Sequence, residues 1–162
     1  MTNRSDNAVS PEVSGATRRQ FLAVVSGGTA TALAGSACSS SDACAPQSFG
    51  DVSAGAVADV AVGVLRVVPG APVFIGRDDQ GIYAMTNTCT HMCCTAQAAG
   101  TGAGASVACP CHGSRFDRYG AVTNGPANAP LVHFQVDVDA SGTVTVRGGM
   151  QVPATTRTAV TG

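Results

Sequence analysis

Two short segments constrain this chain more than any other feature: Cys89-Thr90-His91-Met92-Cys93-Cys94 and Cys109-Pro110-Cys111-His112-Gly113-Ser114. Each sets a thiol and an imidazole a few residues apart, at spacings C-x-H and C-x-x-H, with further Cys close by. A chain carrying two such loops must fold so as to bring them around a common ion or cluster. Cys2His2 sets suit tetrahedral zinc, which accepts mixed nitrogen and sulfur ligands. A zinc finger, however, pairs its two Cys in one half and its two His in the other, whereas here each half holds one of each. That distribution suits a two-iron two-sulfur cluster in which one iron takes both thiolates and the other both imidazoles. A structural zinc site stays open as the alternative. A Cys–His nucleophilic dyad does not fit, because Cys89 and His91 alternate too closely to face each other as nucleophile and base.

The two segments match C-T-H-x-x-C and C-P-C-H-G-S, and over about residues 60–149 the chain resembles the Rieske iron-sulfur proteins. The resemblance implies Cys89 and Cys109 as ligands to one iron and His91 and His112 as ligands to the other. It also implies a disulfide between Cys94 and Cys111, as in high-potential members. Gly125-Pro126-Ala127 looks like the family's Pro loop, which covers the cluster from a third side. Ser114 matches a Ser whose hydroxyl donates to a bridging sulfide. Phe116 stands where high-potential members often carry a Tyr that donates to a ligand sulfur, so that donor is missing. Met92 takes the place of a Leu beside an exposed His ligand and is read as part of an apolar docking tip. Cys93 replaces a Gly, which leaves a thiol next to the expected disulfide and makes exchange with it open to this chain.

The ligand set fixes charge, and charge fixes chemistry. Two ferric ions against two sulfides and two thiolates leave the oxidised site neutral, whereas four thiolates would leave it dianionic. Adding an electron to the neutral site costs less, which raises the potential to roughly −150 to +300 mV. The remaining composition agrees with a small carrier. The chain has 162 residues, enough for one ordinary domain, and its hydrophobic residues are mostly Ala and Val, with no Trp and only 5 Phe. Such a core is thin, so a cluster and a disulfide would serve as staples. All 9 basic residues are Arg, and against 10 acids they leave a net charge of −1, with no basic footprint for nucleic acid.

Residues 1–37 read as an address rather than as part of the fold. Thr17-Arg18-Arg19-Gln20-Phe21-Leu22 resembles the twin-arginine export motif and is followed by a weakly apolar stretch to about Ala37. That stretch contains Ser26, Gly27, Gly28, Thr29 and Thr31 and falls short of the roughly 20 apolar residues that a spanning helix needs. A cleaved signal is therefore favoured over a retained anchor. Gly35-Ser36-Ala37 before Cys38 loosely resembles a lipobox, which would attach lipid to Cys38. The alternative is ordinary cleavage, leaving Cys38 free or bonded to Cys44. Residues 38–58 then read as a flexible linker.

The rest predicts an all-β domain, an antiparallel sandwich or barrel over residues 59–150, with the cluster loops, about residues 87–128, inserted near one end. Val-rich runs at 60–68, 72–77, 81–86, 105–109, 131–139 and 143–147 are separated by Gly, Asp, Asn and Pro. Asp78-Asp79-Gln80-Gly81 and Asp139-Ala140-Ser141-Gly142 read as hairpin turns. Period-two alternation puts Val132, Phe134, Val136 and Val138 in the core and turns His133, Gln135, Asp137 and Asp139 to solvent. The tail, residues 151–162, reads as disordered or as a lightly ordered strap.

The function expected from these features is one-electron transfer on the outer, periplasmic side of the cytoplasmic membrane. The leading parent is a quinol–cytochrome c (bc-type) oxidoreductase, with cytochrome b and quinol on one side, a c-type cytochrome on the other, and quinol contact at the His ligands. A small subunit of a periplasmic molybdenum oxidoreductase of the arsenite-oxidase type, or a free-standing exported carrier, is the alternative. No substrate pocket or catalytic base is legible, so no catalysis is expected from the chain alone.

Overall fold

The computed structural model describes Cys44 and residues 48–160. The twin-arginine segment, the apolar stretch after it and Cys38 lie outside the described residues. Within them, no helix is long and apolar enough to cross a membrane.

Among the described residues, ten strands form two antiparallel sheets. The larger contains β1 (Val52–Ala56), β2 (Leu65–Val67), β3 (Val73–Asp78), β4 (Gly81–Thr86), β9 (His133–Val138) and β10 (Thr143–Val152), in the order β1-β10-β9-β4-β3-β2. The smaller contains β5 (Gln97–Ala99), β6 (Ser106–Ala108), β7 (Arg115–Asp117) and β8 (Val122–Asn124), in that order. Because β4 and β9 are neighbours, the small sheet is an insertion that leaves and re-enters the large sheet at one place. Arg66 of β2 donates to the Ala54 carbonyl of β1, so the two edge strands of the large sheet are brought together by a side chain rather than by a ladder. The all-β class and the inserted subdomain stand as the sequence predicts.

Burial explains why β3 and β4 are apolar throughout instead of alternating. Val73, Ile75, Ile82 and Ala84 point into a core shared with Phe134, Val136, Val144 and Val146. Phe74, Tyr83 and Met85 point the other way, into a second core with Val107, Phe116, Leu131 and the two Cys of the candidate site, Cys89 and Cys109. A strand covered on both faces has no use for period two. Both predicted turns form: Asp78 Oδ1 accepts from the N–H groups of Gln80 (2.9 Å) and Gly81 (3.1 Å), and Asp139 Oδ1 from those of Ser141 (2.8 Å) and Thr143 (2.9 Å).

Three expectations need correction, and the tail takes the strap form of the two readings given for it. Residues 52–56, read as linker, are β1, paired with β10, and Phe49 packs edge-on against Phe134 with ring centres 5.0 Å apart. The run at 60–68 forms a strand only at 65–67. The tail forms a strap: β10 runs on to Val152, and Thr158 then exchanges backbone hydrogen bonds with Ile82, both 2.9 Å. Gly81, at φ +141°, makes room for this strap, since a Cβ there would lie 2.2 Å from the Thr158 carbonyl oxygen. The strap is held by an ion pair, Arg157 Nε to Asp78 Oδ2 at 2.7 Å, in which both side chains are 10% exposed. Burial raises the Asp78 carboxyl, but the Arg157 hydrogen bond and charge, together with the turn N–H groups, outweigh it and leave the pKa below the usual carboxylate value.

Last, His133 is not a surface residue. It is 2% exposed, its Nε2 lies 2.9 Å from the Tyr119 carbonyl, and its ring stacks on Tyr83 at 6.1 Å. Alternation correctly turned it away from the first core. The inserted subdomain covers that end of β9, so the second face is also interior. Burial pushes the His133 pKa below its ordinary 6.5.

Candidate metal centre

The two Cys–His segments fold into loops of the same design. In the first, Cys89 N–H donates to the Cys94 carbonyl (2.8 Å) and Cys93 N–H to the Cys89 carbonyl (3.0 Å). In the second, Cys109 N–H donates to the Ser114 carbonyl (2.8 Å) and Gly113 N–H to the Cys109 carbonyl (3.0 Å). The fifth residue of each loop is left-handed: Gly113 at φ +79° and Cys93 at φ +56°. Glycine enters this region freely and a side chain does not, so Cys93 sits where the loop geometry asks for Gly and keeps the turn nonetheless.

The loops place the predicted residues together. Cys89 is fully buried and Cys109 is 2% exposed; both are free thiols within the second core. The imidazoles of His91, half-buried, and His112, exposed, meet edge to face with centres 4.8 Å apart. Cys94 and Cys111 are bonded, with Cα atoms 6.5 Å apart, so the two loops are joined covalently. The sulfur atoms of this bridge and Cys109 Sγ lie within 4.8 Å of one another. Two of these three are spent in the bridge, so Cys109 alone among them can act as a thiolate. The Pro loop is tied to both loops: Ser114 Oγ accepts from Ala127 N–H (3.0 Å), and Thr90 Oγ1 donates to the Ala129 carbonyl (2.6 Å). The Gly125–Pro126 peptide is cis. Phe116 is buried in the same core as Cys89 and Cys109, and Met92, next to His91 in the chain, is 61% exposed.

Two observations show that these residues suit a bound metal group. His91 Nδ1 is buried and has no hydrogen-bond partner; a native fold rarely leaves such an atom unpaired, because the lost solvation costs about 1–3 kcal/mol. The Cys89 thiol, for its part, is pushed up by burial and by the adjacent Cys109, while the His91 backbone N–H and the Ser114 hydroxyl pull it down. A buried thiol whose ionisation is made costly by burial and a neighbouring sulfur gains most from a cation beside it.

The site also contains features that reading the sequence left out. Thr90 was one residue among several in its box, and its anchor lies 39 positions away. Cys93 forms a second disulfide, with Cys44, Cα atoms 5.0 Å apart and 49 residues apart in sequence. That partner rules out a bond from Cys44 to Cys38. The mismatch of Cys for Gly at position 93 was the only signal in the sequence.

Residues 50–136 match the model of the Rieske [2Fe-2S] domain family. The chain is 40% identical over 75 residues to a cytochrome b6-f complex iron-sulfur subunit of Trichormus variabilis, a match covering 43% of this chain and 41% of that protein. It is 29% identical over 153 residues to a cytochrome b6-f complex iron-sulfur subunit of Trichodesmium erythraeum, covering 80% and 84% respectively. Among solved structures, the plasma membrane Rieske protein of Synechocystis PCC 6803 aligns with a TM-score of 0.48 at 28% identity, over 59% of this chain and 98% of that one.

Proposed function

The chain belongs to the Rieske [2Fe-2S] domain family, and on that footing we propose that it passes single electrons within a quinol–cytochrome (bc-type) assembly on the outer face of a cytoplasmic membrane. The domain carries a 2Fe-2S cluster, which sets aside the zinc reading. When bound, the cluster accepts and releases one electron at a potential of roughly −150 to +300 mV.

In this reading Cys89 and Cys109 would hold one iron of the cluster and His91 and His112 the other. The observation that carries the assignment is the buried, unpaired Nδ1 of His91 in the same loop as Cys89, one of two buried free thiols. The chain's own residues divide the remaining work. Cys89, Cys109, Phe116 and the Cys94–Cys111 bridge keep water from the sulfur side. Ser114, fully buried, accepts from Ala127, so its own hydroxyl hydrogen is left to donate to sulfur. On the other side, the exposed His112 ring offers a short path for an electron and, at its outer nitrogen, a hydrogen-bonding point for a quinol. Met92 supplies apolar surface next to it for a docking partner. Likeness to cytochrome b6-f iron-sulfur subunits supports cytochrome b and quinol as the donor side and a c-type cytochrome as the acceptor. The match spans about two fifths of the first of these proteins, so the partners are inferred from the tip's chemistry as much as from likeness. Residues 1–37 act as the export signal in this scheme, and Cys38 as the point of lipid attachment.

The test is spectroscopic and kinetic. The purified chain should be red-brown with a Rieske electron paramagnetic resonance signal, and a short-chain quinol followed by a c-type cytochrome should reduce and then re-oxidise it. A colourless, zinc-loaded protein would overturn the cluster assignment. A normal signal that quinol cannot reduce would overturn the bc-type placement alone.

A further inference from the structure

Among the Asn of this chain, Asn124 is the one followed by Gly. It is exposed and ends β8, an edge strand of the small sheet. Its side-chain amide holds two pieces of the candidate centre together: Nδ2 donates to the Gly113 carbonyl (3.3 Å) and to the Gly125 carbonyl (2.8 Å). Gly113 follows His112 and closes the second loop through its N–H to the Cys109 carbonyl, while Gly125 opens the Pro loop. The Asn124 amide is thus already folded onto the residue that follows it. Gly125 has no side chain to shield its nitrogen and turns easily about its own backbone bonds. The other described Asn lack this combination. Asn87 is 6% exposed, donates its backbone N–H to the Pro72 carbonyl and precedes Thr88. Asn128 is exposed but precedes Ala129.

We propose that Asn124 is a site of spontaneous covalent modification, a deamidation that loosens the Pro loop from the second cluster loop. The Gly125 nitrogen attacks the side-chain carbonyl carbon of Asn124. A C–N bond forms, the bond to Nδ2 breaks, and Nδ2 leaves as ammonia with the proton lost by Gly125. Water then opens the cyclic imide at one carbonyl or the other. One opening leaves aspartate; the other leaves isoaspartate, in which the side-chain carbon has joined the main chain. The sum is one water gained and one ammonia lost, with no oxidant or reductant needed. Either product is a carboxylate, which has no hydrogen to donate. The Gly113 and Gly125 carbonyls then lose their donor and face a negative charge. Isoaspartate also lengthens the backbone at the Arg115–Asn124 pair, shifting the chain that leads to the bond between Ala127 N–H and Ser114. The added charge disfavours uptake of an electron nearby. That last consequence rests on the cluster reading above, and the modification itself does not.

The full chain tests this when held at mildly alkaline pH, where an amide nitrogen loses its proton more readily, and sampled by peptide mapping. The peptide holding Asn124 should gain the mass of water less that of ammonia and split into aspartate and isoaspartate forms, while Asn87 and Asn128 persist. Gly125→Ala should slow the change roughly tenfold, since a side chain stiffens the backbone and shields the nitrogen. That substitution is mild, because a Cβ there would meet nothing nearer than 3.8 Å and the position is not left-handed. Conversion of Asn128 as fast as that of Asn124, or an unchanged rate in Gly125→Ala, would overturn the modification. Asn124→Asp, made directly, should lower the midpoint potential and shorten the cluster lifetime relative to the fresh wild type. Unchanged values of both would overturn the consequence for the loop. The mass change is read whether or not the chain carries a cluster, so its failure and that of the cluster reading are told apart.

Discussion

The two sheets of this domain are stabilised by different means. The large sheet has strands of up to ten residues, and its interior is a single apolar packing of Val, Ile, Ala and Phe. The small sheet has four strands of three residues each. Three-residue strands make too few ladder bonds and bury too little surface to hold themselves. What they lack is replaced by the Cys94–Cys111 bridge, by the Ser114 and Thr90 ties to the Pro loop, and by a core that includes the two buried thiols proposed as metal ligands. Damage to one region should therefore show as lost packing, and damage to the other as lost cross-links.

The largest effect that would sharpen this contrast is loss of a His ligand. His91→Ala or His112→Ala should abolish the Rieske resonance entirely while the far-ultraviolet circular dichroism of the large sheet persists, since neither ring contributes to either core. A surviving signal removes that residue from the ligand set.

Next comes the bridge between the loops. By the loop-entropy model, Cys111→Ser releases a crosslink across 17 residues and costs about 3 kcal/mol. The loss should fall on the small sheet first, as a shortened cluster lifetime at temperatures where amide exchange of β9 and β10 is unchanged. Equal loosening of both sheets would show that they unfold as one unit and break the comparison.

His133 lies at the junction and tests whether burial there is structural only. His133→Ala should cost about 2 kcal/mol through a lost partner for the Tyr119 carbonyl and a small cavity, with the resonance intact. Its pH dependence has a definite sign. Burial lowers the folded pKa below 6.5, so the unfolded chain takes up the proton first as pH falls. This contribution is fully present above 6.5 and is lost as pH drops from there through the folded value. Urea midpoints measured from neutral to mildly acid pH should fall further in the wild type than in His133→Gln; parallel curves would show that the ring is solvated.

The smallest expected effect is electronic. Phe116 shares the second core with both candidate sulfur ligands and carries no hydroxyl. A hydroxyl donating to a ligand sulfur favours the reduced form, and a difference of about 1 kcal/mol corresponds to roughly 40 mV for one electron. Film voltammetry of Phe116→Tyr should show a midpoint higher by about that amount; no shift would mean that the hydroxyl cannot reach sulfur.

Much of this was legible in the residues themselves. The spacing of Cys and His announced a mixed-ligand centre because ligand identity is a local chemical property, and Asp-to-Gly turns between Val-rich runs marked the hairpins because turn conformations are local as well. The runs at 72–77 and 81–86 coincide with β3 and β4 because continuous apolar stretches bounded by turn residues form strands whichever way they face. Other features had no local trace. The strands at 97–99, 115–117 and 122–124 are too short to show a period. β1 and the strap at Thr158 pair with segments far away in sequence, and neither is distinctive alone. His133 obeyed its alternation and was still buried, because the covering element comes from the insertion between β4 and β9. Cys93 could be seen as out of place, but its partner 49 residues away depended on how the chain approaches the cluster end. Sequence alone determined the cluster chemistry and the strand-forming runs, since both follow from residue types at short spacing. Tertiary structure decided which second faces are interior and which Cys meet, since those depend on how distant segments dock.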